Sequence, residues 1–369
     1  MLGFRGKKDL FSPPGAARAN PSVVSKSCDN GTMPFPTTPM SPLPFETLTP
    51  DLILDALESC GLAPDGRLLA LNSYENRVYQ VGMEDGPMLV VKFYRPARWS
   101  DEAIAEEHAF VTELAAREIP VVPPISVGGH TLLRHQDLRF AVFPRVGGRA
   151  PELSDPATLE WMGRFIGRIH AVGALEAYRY RPALDIVSFG EEPRDWLLAN
   201  HFIPDDLLAA WHSTVDQALD GVHRCFDRAG SYATLRLHGD CHGGNVLWSE
   251  AGPAPGPQFV DFDDSRMGPA VQDLWMLLSG TREEMSRQLG DVLAGYEDFH
   301  EFAPRELHLV EALRTLRLIH YSGWIARRWE DPAFPAAFPW FNTQRYWQDR
   351  ILEMREQIAL MDEPPLWSI

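Results

Sequence analysis

Lysine is almost missing from this sequence of 369 residues. Of its 34 Lys and Arg, only Lys7, Lys8, Lys26 and Lys92 are lysine, and beyond residue 45 Lys92 stands alone among 28 arginines. A compact ammonium kept where every other cation is a planar guanidinium marks a position that needs a point charge. Positive charge is also in deficit overall: the net charge of −17 excludes a broad nucleic-acid-binding face. No two of Cys28, Cys60, Cys225 and Cys241 form a C-x-x-C pair, which removes zinc-ribbon and thioredoxin-type chemistry. Reduced thiols in a cytoplasmic protein are the expectation. No apolar run reaches the roughly 18 residues of a membrane span, so no membrane partner is expected. Arg5, Lys7 and Lys8 are followed by no apolar h-region, so no signal peptide is expected either. There is no G-x-G-x-x-G phosphate loop.

What remains is ordinary globular material, 45% hydrophobic and 23% charged. At about 100–200 residues per domain it makes two domains or lobes. Residues 1–45 differ: rich in Pro, Ser, Thr and Gly and carrying about three net positive charges, they predict a disordered extension, with Met33 and Met40 as alternative translation starts.

Thr49 caps and Pro50 opens a first helix, Asp51–Cys60. Strands are expected at Leu68–Leu71, Arg77–Val81 and Met88–Tyr94, and Ser100 caps a helix to about Arg117. Short strands at Ile125–Val127, Leu132–Arg134 and Phe140–Phe143 complete a small β-sheet-plus-helix lobe. The second half reads as helical at Pro204–Arg228, Pro269–Gly280, Glu283–Phe299, Arg305–Trp329 and Asn342–Leu360. The fold class is α+β, bilobal and protein-kinase-like: a small β-sheet-plus-helix N-lobe (46–143), a hinge (144–148) and a larger, mostly helical C-lobe (149–369).

The central motif is His238-Gly-Asp240-Cys-His242-Gly-Gly-Asn245, followed by Asp261-Phe262-Asp263-Asp264. A phosphotransferase needs a carboxylate to take the proton of the attacking hydroxyl, and oxygen ligands for Mg²⁺. Asp240 fits the proton acceptor, Asn245 and Asp261 the metal ligands, and His238 a brace for the loop. Cys241 and His242 read as loop residues without catalytic work. Lys92, in Val90-Val-Lys92-Phe93-Tyr94, sits where a kinase carries its phosphate-pairing lysine. Glu107 is expected to orient it, and Glu106 to be a solvated acidic residue. Ser73, in Asn72-Ser73-Tyr74-Glu75-Asn76, is the expected ATP phosphate contact. A rival reading makes His238 and Asp240 two legs of an iron triad with His300, His308 or His320, but those histidines fall in helical segments, and such triads belong to β-rich scaffolds.

Leu71-Asn-Ser-Tyr-Glu-Asn-Arg-Val-Tyr79, Val91-Lys-Phe-Tyr-Arg-Pro96, Ala141-Val-Phe-Pro144, Val146-Gly-Gly-Arg149, Gly268-Pro-Ala-Val-Gln-Asp-Leu-Trp275 and Asp331-Pro-Ala-Phe-Pro335 join the central motif. With these, Phe45 to Trp367 resembles the bacterial stress-response serine/threonine kinases of the choline/aminoglycoside-kinase-like superfamily. The resemblance implies an ATP- and Mg²⁺-dependent, cytoplasmic, monomeric kinase acting on protein Ser/Thr, itself included. It puts the same roles on Ser73, Asp240, Asn245 and Asp261. At Asp273 it places a buried carboxylate that ties down the catalytic loop; a helix N-terminal charge reads equally well there. Asp263 stands where ordinary protein kinases have Gly, and no Ala-Pro-Glu segment follows. A small-molecule kinase on the same scaffold, or a non-catalytic nucleotide-binding adaptor, are the alternatives.

Overall fold

The computed structural model describes residues 44–250 and 255–366. The extension and alternative starts expected within 1–45 fall almost entirely outside them. Helix α1 (Pro50–Glu58) starts as its sequence dictates, with Leu52 N–H donating to Thr49 Oγ1 at 3.2 Å. Strands β1 (Pro64–Ala70), β2 (Arg77–Met83) and β3 (Leu89–Phe93) then form a meander. Helix α2 (Asp101–Ala116), capped by Ser100, crosses over to β4 (Leu133–His135) and β5 (Leu138–Pro144). The antiparallel sheet order is β1-β2-β3-β5-β4.

Strand alternation decides what each face of this sheet does. Leu89, Val91 and Phe93 pack with Phe140 and Val142 under α1 residues Ile53, Ala56 and Leu57. Lys92 therefore points to the opposite face, opposite Ala141 in register, toward the α2 side. The strand expected at Ile125–Val127 does not form. Ile125 N–H still donates to Val142 O at 2.7 Å, but Pro123 and Pro124 before it have no N–H, and Gly128 and Gly129 turn the chain away.

The larger lobe contains α3 (Pro156–Gly173), α4 (Glu192–Ala199), α5 (Asp205–Ala229), the short strands β6 (Leu235–Arg236), β7 (Val246–Ser249), β8 (Gly256–Phe259) and β9 (Met267–Gly268), then α6 (Val271–Trp275), α7 (Arg282–Tyr296), α8 (Val310–Ala326), α9 (Ala333–Ala337) and α10 (Gln344–Met361). Its core is one continuous apolar cluster, to which Phe110, Val111 and Leu114 of α2 are added from the smaller lobe. Helices α3 and α7 touch backbone to backbone: a Cβ at Gly163 would overlap the carbonyl oxygen of Val292. Two helical segments differ from expectation. Pro269–Gly280 forms only α6, and Arg305–Trp329 enters α8 through a 3₁₀ turn, Pro304–Leu309. Helix α4, eight residues long with only Pro193 and Leu197 buried, and the π-helical turn Val187–Glu191 before it were not expected.

Glu106 and Glu107 join α2 to the larger lobe. Glu106, expected to be solvated, instead accepts from the backbone N–H groups of Arg179, Tyr180 and Arg181 at 2.7, 2.9 and 3.2 Å. Three donors in a row form a ready anion cradle, which a carboxylate fills.

A second buried carboxylate gives a test. Glu306 accepts from Val271 N–H at 2.9 Å, and burial pushes its carboxyl up to about 7 against the pull of that hydrogen bond. The folded state thus holds a proton that the unfolded chain releases near its ordinary value of 4.5. The associated stability is present below that value and is lost as pH rises through about 7. Glu306→Gln retains the carbonyl acceptor. It should gain about 2–3 kcal/mol relative to the parent between pH 5 and 8, read by urea denaturation.

Candidate active site

The loop from Leu237 to Asn245 is positioned from below. Asp273 on α6, fully buried, accepts from His238 N–H at 2.7 Å and Gly239 N–H at 2.9 Å, and meets His170 Nε2 at 3.0 Å. Of the two readings at Asp273, the loop tie is the one the geometry displays. Gly239 has φ +88°, and a side chain there would overlap the carbonyl oxygen of Asp264, so the turn requires glycine. His238 Nε2 lies 2.9 Å from Val260 O, and its Nδ1 accepts from Asp240 N–H at 3.3 Å. The ring thereby braces Asp240 against the residue preceding Asp261. Cys241 is buried, and burial pushes its thiol well above the ordinary value, as suits a packing residue.

Asp240 is surrounded by donors. Its Oδ1 is 2.8 Å from Arg317 Nη2, and its Oδ2 is 3.3 Å from Asn245 Nδ2 and 3.4 Å from His242 Nε2. Burial raises the carboxyl, but Arg317, His242 and His238 outweigh it and hold it well below the usual carboxylate range. Asn245 Nδ2 also donates to Asp240 O at 2.9 Å. The amide oxygen, not the nitrogen, is therefore what Asn245 has left for a cation. Pairing of β7 with β8 and the Val260 N–H to Asn245 O bond at 3.0 Å bring Asp261 beside Asn245.

Asp261 has left-handed backbone, φ +62° and ψ +62°, a conformation rare outside glycine and concentrated at functional sites. Its side chain is 55% exposed, while its Oδ1 takes Lys92 Nζ at 2.9 Å. A half-open carboxylate beside a carboxamide oxygen is an all-oxygen donor set. That suits a hard divalent cation whose remaining ligands come from phosphate and water. Within the described residues, no three His, Cys, Asp or Glu side chains gather as a metal cluster. His300 packs edge-on against His170 and Tyr296, and His320 stacks on Phe189 at 4.3 Å; the iron triad therefore has no geometry.

Lys92 is nearly buried and sits between two aspartates, 2.9 Å from Asp261 Oδ1 and 3.2 Å from Asp263 Oδ1. Burial pulls its amine down, but Asp261 and Asp263 prevail and hold it well above the ordinary value. The expected pairing of Lys92 with Glu107 is corrected here. Glu107 Oε2 is ion-paired with Arg181 Nη2 at 2.8 Å. Arg181 also donates to Ala103 O, Asp263 O and Ser265 O. A guanidinium can serve four acceptors where an ammonium cannot, so Arg181 takes Glu107 and leaves Lys92 to the aspartates.

The 72–76 turn lies over this centre. Ser73 Oγ donates to Asn76 O at 3.2 Å and so shapes the turn itself. Asn76 Nδ2 donates to Asp263 Oδ2 at 3.1 Å, and Glu75 takes Trp324 Nε1, Arg328 and Arg95 at 2.5, 2.6 and 3.1 Å. Asp331 binds Arg77 at 3.3 Å and Arg95 at 2.5 Å. Arg98 pairs with Asp263 and Asp264. Sequence reasoning missed Asp263, Arg95, Arg98 and Arg317 as site residues. The first three had a signal, since they adjoin Asp261-Phe262 and Lys92. Arg317 had none, being one of four arginines at 314, 317, 327 and 328.

Asp273→Ala would leave two fully buried backbone N–H groups without their acceptor. It should cost about 3 kcal/mol of unfolding free energy, measured by denaturant titration.

The profile of the phosphotransferase enzyme family matches residues 67–310. Stress response kinase A of Escherichia coli (strain K12) is 45% identical over 87% of this chain and 96% of its own. Serine/threonine protein kinase RdoA of Salmonella typhimurium is 46% identical over the same shares, 87% and 96%. A solved amicoumacin kinase, in complex with AMP-PNP and Ca²⁺, has the same fold at 18% identity, with a TM-score of 0.66 over 86% of this chain and 94% of its own. The chain belongs to the phosphotransferase enzyme family.

Proposed function

We propose that this phosphotransferase is an ATP- and Mg²⁺-dependent serine/threonine protein kinase of stress response, with Asp240 as proton acceptor. The observation that carries the reading is the convergence of Asp240, Asn245, Asp261 and Lys92 on one loop-and-strand centre between the β-sheet lobe (46–143) and the helical lobe (149–369). The connecting segment 144–148 serves as hinge. The name of the Salmonella typhimurium relative, matched over nearly its whole length, supports protein as acceptor. The amicoumacin kinase supports the alternative, a small alcohol, through fold alone.

The acceptor hydroxyl donates a hydrogen bond to Asp240, and its oxygen attacks the γ-phosphorus in line. The bond from that phosphorus to the β,γ-bridging oxygen breaks, ADP leaves, and the hydroxyl proton passes to Asp240. A carboxylate held well below its usual range stays ionised and orients the hydroxyl. It takes the proton late, as a loose phosphoryl-transfer transition state allows. Asn245 and Asp261 would hold the Mg²⁺, which when bound neutralises charge on the phosphate oxygens. Lys92 turns from Asp261 to the nucleotide phosphates, and the 72–76 turn, with Ser73, closes over them. Cys60, Cys225 and Cys241 are free thiols, and no helix among the described residues is long and apolar enough to cross a membrane. The free thiols fit a reducing cytoplasm.

Labelled-ATP assays against a protein mixture and a panel of amino alcohols and sugars decide the acceptor class; transfer only to the panel would refute the protein-kinase reading. Asp240→Ala should lower turnover by about 10²–10⁴ while ATP still binds. Near-normal turnover would refute the base assignment. Lys92→Arg keeps the charge but not the shape, and should remain at least about 10²-fold down in kcat. Full activity in that variant would show that the lone lysine carries no chemical meaning.

A further inference from the structure

Arg317 stands on α8, 77 residues beyond Asp240, yet its Nη2 lies 2.8 Å from Asp240 Oδ1. The other carboxylate oxygen is met from the loop itself, by Asn245 and His242. Titratable and charged groups facing Asp240 are His238 and His242 on its own loop, Asp264 and Arg266 in the turn after Asp261, and Arg317 from α8. Arg266 is committed to Asp264 at 2.9 Å and lies over the ring of Phe189. Arg98 is shared between Asp263 and Asp264. The cation that balances Asp240 is therefore Arg317.

An exposed catalytic carboxylate with no fixed counter-ion draws ammonium-bearing alcohols toward itself. With a guanidinium on one of its oxygens, the same carboxylate offers a neutral pair whose positive end is fixed to a helix. We propose that Arg317 is a positioning and specificity residue: it fixes Asp240 for the incoming hydroxyl and cancels its charge, so that the acceptor is an alcohol flanked by neutral or acidic groups and not by an ammonium. The inference rests on Asp240 being the base. An acidic residue beside the acceptor Ser or Thr is attracted by the Arg317 guanidinium, which is fixed beside the hydroxyl-binding oxygen. A lysine in the same place meets like charge.

The test uses the full chain with Mg²⁺ and ATP, two matched serine peptides flanked by Glu or by Lys, and 1-amino-2-propanol. The parent enzyme should favour the Glu peptide over the Lys peptide by about tenfold or more in kcat/KM. Arg317→Ala should lower kcat on the Glu peptide by about 10–100-fold with KM for ATP within about twofold, and should erase the preference. Arg317→Lys should restore the preference and only part of kcat, and it keeps the test readable if the alanine variant folds poorly. In an Asp240→Asn background, Arg317→Ala should add no further loss, which a merely structural role would not produce. Parent-like kcat and preference in Arg317→Ala, full additivity in the double variant, or a parent preference for the cationic alcohol would each overturn the inference. Its failure alongside an inactive Asp240→Ala leaves the kinase reading standing; an active Asp240→Ala removes that reading instead.

Discussion

A carboxylate taken wholly out of water must be met by donors on every side, and the catalytic loop is built around that requirement at Asp273. Two consecutive backbone N–H groups of the loop and the imidazole of His170 satisfy it. His170 lies on α3 and is held in turn by Tyr296 at the end of α7, at 2.9 Å. The loop that carries Asp240 is thus attached to the helical core through a chain of buried polar contacts. Its position is decided by the packing of α3, α6 and α7. Such a network is stable only when every member is satisfied, which makes it intolerant of local change.

The abundance of arginine follows from the same demand for donors. At the junction of the lobes, acceptors come from separate strands, helices and loops, and each cation has several to serve. Arg181 gathers Glu107 and three backbone carbonyls; Arg95 reaches Glu75 and Asp331; Arg98 spans Asp263 and Asp264. A guanidinium does this with fixed geometry, where an ammonium offers three rotating donors to one point. Lys92 is the position where a single point charge serves two aspartates.

What could be read from the residues was what neighbouring residues decide. Thr49 and Ser100 cap their helices because the bonds they make close within three residues. The facing of Lys92 follows from strand alternation, and the His238-to-Asn245 spacing carries the loop whole. Partners far apart in the chain left no such trace. Glu107 finds Arg181 across 74 positions, Asn76 finds Asp263 across 187, and Glu75 finds Trp324 across 249. Glu106 and Glu107 look alike as letters, and only the chain at Arg179–Arg181 distinguishes a backbone cradle from an ion pair. Helix α4, at eight residues, is too short for its pattern to announce itself, and Pro269–Gly280 looked helical because its apolar run is long, although Asp273 ends up serving the loop.

The solitude of Lys92 has a consequence for chemistry done on the protein. Past residue 26 the chain offers a single ε-amine, and that amine is 6% exposed and engaged by two carboxylates. Acylation, whether enzymatic or by a synthetic electrophile, has one target in the folded body. An amine-directed probe shaped for the nucleotide pocket would therefore report occupancy of the active site with no background from the rest of the fold.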